Sequence, residues 1–138
     1  MRVLTDQQKE LKIQKGIRQA EDDLVIAIQT ALDDKSSYGD LEESQFRNLV
    51  RVADTTDSAE VIKNFLLYQV GRDKKWGRGK HSLATKIIND IENQLQEIAK
   101  RIAKEAQVSD SKAIRIELIR RYLGYGARYL KYKREGEP

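Results

Sequence analysis

The segment SLATKIINDIENQLQEIAKRIAKEA, residues 82–106, decides the fold class. Within it Ala84, Ile88, Ile91, Leu95, Ile98 and Ile102 recur at 4-3-4-3-4 spacing. A 3.5-residue seam of this kind belongs to helix bundles and coiled coils; a strand would scatter the same residues over both faces. Ile87, Ala99, Ala103 and Ala106 widen the seam into a globular core face. With Ser82 as its cap, one continuous helix is predicted over 83–106, about 36 Å long at about 1.5 Å per residue. A seam that long could reach past its own monomer and meet a second subunit.

The flanking segments give the same answer. A first helix is expected over about 6–33, opened by a Thr5/Gln8 capping box, with Leu11, Ile17, Leu24, Ile28, Ala31 and Leu32 on its inner face. A second, over about 42–53, buries Phe46, Leu49, Val50 and Ala53. A third is predicted to start at Asp57 with Glu60 as box partner, to turn Val61, Ile62, Phe65 and Leu66 inward, and to stop at Gly71. A fifth runs from near Ser109 to about Arg134, and the tail Glu135 to Pro138 is expected to fray. Together these predict an all-α chain: one compact domain over residues 1–138, built of about five helices with a basic loop between the third and fourth.

The composition excludes much chemistry. The 138 residues suffice for a single core, and with 39% of them apolar, wholesale disorder is not expected. There is no cysteine and one histidine, His81, so a thiolate zinc site, a disulfide framework and a cysteine nucleophile are ruled out and a histidine triad is not expected. Gly77-Arg78-Gly79 lacks the strand and third glycine of a nucleotide-binding loop. No catalytic residue, metal ligand or cofactor is expected. No signal-type or membrane-spanning apolar run appears, so a soluble, cytoplasmic protein without membrane contact is predicted.

Charge is divided unevenly. Residues 1–70 hold 9 basic and 13 acidic residues, a net of −4; residues 71–138 hold 17 and 9, a net of +8. Such a basic half suits a polyanion, although lysines and arginines also solubilise helices. Five basic residues crowd 72–81, where Lys74, Lys75, Arg78 and Lys80 are candidate phosphate contacts on a loop expected to be mobile. Trp76, in the same loop, either stacks on a base or packs on the bundle. Arg47 and Arg51, four residues apart, form either a surface pair relieved by Glu43 or a phosphate clamp. On the last helix Tyr122, Tyr125, Tyr129 and Tyr132 form a stripe, with Arg121, Arg128 and Lys131 beside it. The tyrosines are either boundary residues with hydroxyls in water or part of a surface that stacks on RNA. Arg72 is assigned to the end of the third helix.

Three segments resemble the small helical subunit of type III-A CRISPR interference complexes, the Csm family. They are SQFRNLV (44–50), LYQVGRD (67–73) and RYLGYGARYLKY (121–132), in this order, spanning most of 44–132. The resemblance implies a non-enzymatic, all-helical protein of antiviral defence. It would stack in a short filament along the duplex of CRISPR RNA and target RNA, beside backbone and large subunits that carry the catalysis. Contacts to such a duplex go mainly to phosphate and 2′-OH. The small subunit of type III-B complexes, a helical homodimeric adaptor that binds no RNA, and a DNA-binding regulator are the alternatives.

Overall fold

A computed structural model describes residues 3–137 and shows an all-α bundle. It contains α1 (Asp6–Asp33), α2 (Glu43–Thr55), α3 (Ala59–Arg72), α4 (Leu83–Glu92), α5 (Gln94–Glu105) and α6 (Lys112–Lys131). A 3-10 turn at Lys35–Ser37 follows α1, and a wide π turn at Tyr132–Gly136 follows α6. No strand occurs among the described residues.

The last helix is the centre of the molecule. Ile114, Leu118, Ile119, Leu123 and Leu130 of α6 are buried, and α1, α2 and α5 pack around it. Arg121 meets Glu21 and Lys133 meets Asp33, so α1 and α6 run parallel. Arg120 meets the end of α2 while Gly126 meets Phe46 near its start, so α2 runs antiparallel to α6. Gly126 is what permits this approach: a Cβ there would lie 2.7 Å from Phe46 Cζ and 2.8 Å from Ile28 Cγ1. Gly16 does the same between α1 and α5, where a Cβ would sit 2.8 Å from Ile102 Cγ1.

The Thr5/Gln8 box is present, each side chain accepting from the other residue's N–H at 3.1 and 2.9 Å. Ser82 caps α4, its Oγ accepting from Thr85 N–H at 3.1 Å. Elsewhere the structure corrects the expectation. The long helix over 83–106 is interrupted at Asn93, whose Nδ2 donates to the Asn89 carbonyl at 3.0 Å. The Asn89 carbonyl also accepts the Asn93 backbone N–H at 2.9 Å, and Arg115 Nε donates to the Ile91 carbonyl at 3.2 Å, so side chains add hydrogen bonds to main-chain carbonyls at the break. Of the seam residues, Ala84, Ile91, Leu95, Ile98 and Ile102 are buried within the one chain, while Ile88 is half-buried and lines a surface recess with Val61 and Leu67.

Further corrections concern single residues. Leu11 is 63% exposed and Val61 47% exposed, because Leu11 falls off the face of α1 that carries Ile17, Leu24 and Ile28, and α3 packs on the Ile62–Leu66 side. Ser58, not Asp57, caps α3, and Gly71 lies inside the helix, which ends one residue later. The tail does not fray up to Glu137: its carboxylate takes Lys35 at 2.9 Å and Lys133 at 3.2 Å, and its N–H bonds the Tyr132 carbonyl. Pro138 lies outside the described residues.

Candidate nucleic-acid interface

The 72–81 loop is pinned rather than loose. Trp76 is 1% exposed and stacks obliquely on Phe46, with ring centroids 5.4 Å apart. Its carbonyl accepts from Ala84 N–H at 3.1 Å, and Lys75 O accepts from Gly39 N–H at 3.0 Å. Gly77, at φ +78°, presses on Ser37, where a Cβ would lie 2.0 Å from the carbonyl oxygen. Trp76 is therefore a core residue, and its assignment to RNA stacking is withdrawn. The indole takes the apolar place that the short, charged loop could not otherwise offer. Lys74, Arg78 and Lys80 remain on the exposed rim and Lys75 is half-buried.

Two other candidate groups, 80 residues apart in sequence, are brought together. The strip Glu43–Arg47–Arg51–Asp54 of α2 runs beside α6. At one end Lys131 senses the charges of Glu43 and Arg47; at the other, Asp54 and Arg128 line one recess of about 370 Å³ with Glu117, Arg120, Arg121, Gly124 and Tyr125. Gly124 lines this recess with nothing within 4 Å of where its Cβ would be. Not every cation there is equally available. Arg47 pairs with Glu43, and Lys131 with Glu135 at 2.6 Å, which raises the Lys131 pKa. Arg121 is held by Glu117, at 3.0 Å, and by Glu21, and its pKa is raised chiefly by the Glu117 hydrogen bond. Among the described residues Arg51 bonds only Asn48 Oδ1, at 2.8 Å, and Arg128 is exposed with no acidic partner.

The tyrosine stripe divides. Tyr122 is fully buried and its hydroxyl is not in water: it donates to Asp90 Oδ2 at 2.7 Å, while Lys86 bonds Asp90 Oδ1 at 2.8 Å. Burial first, then the Asp90 charge, pushes the Tyr122 pKa well up. Tyr125 is half-buried at the recess. Tyr129 donates to Asp33 Oδ1 at 2.6 Å, and Lys133 bonds the same atom at 2.9 Å, holding the Asp33 pKa down. Tyr132 is 48% exposed and stacked on Tyr129.

Part of the basic charge is structural. Arg120 donates to the carbonyls of Ala53 and Thr56 at 2.8 and 3.0 Å, closing α2. Arg134 donates to those of Leu41 and Gly39 at 2.9 and 3.0 Å, with its guanidinium over the Tyr38 ring. Neither role is visible in sequence, because both partners are main-chain oxygens more than 60 residues away. Arg72 is exposed and reaches Asp73 at 3.7 Å.

Among the described residues no group of three or more His, Asp or Glu is arranged to hold a metal ion, and no helix is long and apolar enough to cross a membrane. Comparison with models of known protein families, with curated proteins and with solved structures finds no match.

Proposed function

We propose that the chain is a non-catalytic, RNA-binding small subunit of a type III-A CRISPR effector complex. In this reading it lies along the duplex of CRISPR RNA and target RNA, beside the backbone and large subunits, and next to further copies of itself. The observation that supports it most is the face shared by α2 and α6. Two of the three segments that resemble the Csm family, 44–50 and 121–132, pack against each other there. They bring Arg47 and Arg51 of α2 to the same face as Arg128 and Lys131 of α6, and Arg128 lines a recess there with Gly124. Cations on two rigid antiparallel helices suit a regular phosphate backbone, and contacts of this kind carry no base preference.

The test is anisotropy of labelled RNAs of unrelated sequence over a salt series, using the full chain. Reversing Arg47, Arg51 and Arg128 together should weaken every RNA alike, reduce the salt slope by about one per lost phosphate contact, and leave the helical circular dichroism intact. Binding like wild type overturns RNA recognition by this face. For the complex itself, the tagged chain recovered from its host should carry short RNAs with CRISPR repeat sequence; recovery without them overturns the effector assignment.

A further inference from the structure

The geometry points to a preformed binding site for a single phosphate group between the Ser36–Gly39 segment and the Arg78–Ser82 turn. It deepens the RNA-binding reading for one part of the surface, and it rests on that reading's premise that the basic loop meets phosphate.

The recess is about 440 Å³ and no Asp or Glu lines it. Its wall carries Lys74, Arg78 and His81 together with Ser36, Ser37 and Ser82. Lys74, Arg78 and His81 are exposed and bond no acid among the described residues. Beside it, a second hollow shares Ser37, His81 and Ser82 and adds Lys80 and Lys86. The one carboxylate there, Asp34, accepts from Ser36 Oγ at 2.6 Å, and Lys86 is committed to Asp90.

The main chain adds donors. Gly77 and Gly79 both have positive φ, +78° and +81°, which turns the chain sharply. Ser82 N–H and Oγ bond the Gly79 carbonyl at 3.2 and 2.8 Å and lock the turn. The N–H groups of Arg78, Gly79, Lys80 and His81 have no acceptor among the described residues. Of these four residues Arg78 and His81 line the recess, beside Lys74, and unbonded amides of a glycine turn next to cations suit an anion. The cradle is also rigid: buried Trp76, the Gly39–Lys75 hydrogen bond and the Gly77–Ser37 contact hold its two walls together, so little ordering is required when an anion enters. One phosphate group is the ligand chemistry; an RNA backbone or a small phosphate ester can supply it.

The experiment titrates the 15N-labelled full chain with inorganic phosphate and follows its amide resonances. Saturable shifts confined to 36–39 and 78–82 are expected. The double variant Lys74→Ala with Arg78→Ala should weaken them about tenfold or more, since charge-assisted hydrogen bonds are lost. Lys100→Ala with Arg101→Ala on α5 removes the same charge elsewhere and should leave them unchanged. Shifts that never saturate, that spread over all cationic surfaces, or that weaken equally in both double variants overturn the site. The readout uses no RNA, so it stands whether or not reversal of Arg47, Arg51 and Arg128 abolishes RNA binding. Competition between inorganic phosphate and RNA assigns the site to the RNA backbone; RNA binding undisturbed by saturating phosphate assigns it to a small ester.

Discussion

Trp76 is the chain's single tryptophan, so its burial against Phe46 makes it a reporter of the fold rather than of the ligand. Its emission should be blue-shifted in the native chain and unchanged by saturating RNA; quenching by RNA would place the ring outside. Trp76→Ala should cost about 3–5 kcal/mol in a urea titration, the range for deleting a large buried aromatic, and should loosen the loop around it. Tyr122 gives a pH signature. Its pKa is raised in the folded chain, so the neutral phenol is favoured there. Its stabilisation is complete below the ordinary value of 10.0 and is lost as pH rises from there through the folded-state value. Denaturant midpoints should therefore fall above pH 10 in the wild type and fall less in Tyr122→Phe, which itself should cost about 1–3 kcal/mol at neutral pH.

At the scale of elements, α6 supplies a paired test in its two interior glycines. Gly124 faces open space, so Gly124→Ala should raise stability by about 0.5–1 kcal/mol through helix propensity alone. Gly126 faces Phe46 and Ile28, so Gly126→Ala should lower it by about 1–3 kcal/mol through overpacking. Thermal melts of the two variants, moving in opposite directions, check the packing of α1 and α2 on α6. The helices themselves were legible in the sequence because periodicity and caps are local: the Thr5/Gln8 and Ser82 caps stand as expected, as do Phe46, Leu49 and Ala53 on the inner face of α2, with Val50 half-buried beside them. The break at Asn93 was not, since it depends on Arg115 arriving from another helix to bond Ile91 O. Loop order failed for the same reason. A run of lysines and glycines reads as mobile until Trp76 is seen to find Phe46, thirty residues back. Charge alone points to the candidate cations, and charge does not distinguish Arg128, which has no acidic partner among the described residues, from Arg121, which is held by two glutamates.

At the scale of the whole molecule, the uneven charge of the chain is partly spent in the fold. Arg115, Arg120 and Arg134 lie in the basic half yet serve main-chain carbonyls. Replacing Arg120 by Ala should destabilise the bundle by about 1.5–3 kcal/mol with little effect on RNA affinity, the reverse of what is expected for Arg128→Ala. The parallel course of α1 and α6 has a mechanical consequence. Leu4 is tied to Gln107 at one end of α1, and Glu137 to Lys35 at the other. The 28 residues of α1 separate these two points by about 42 Å. Pulled apart at residues 4 and 137, the molecule is loaded in shear, α1 sliding against α6 with all their contacts resisting together. Pulled at residues 4 and 107, it peels open from one end. Forced unfolding follows the unfolding barrier, so an optical-tweezers trace should show a markedly higher rupture force for the first pair of handles than for the second.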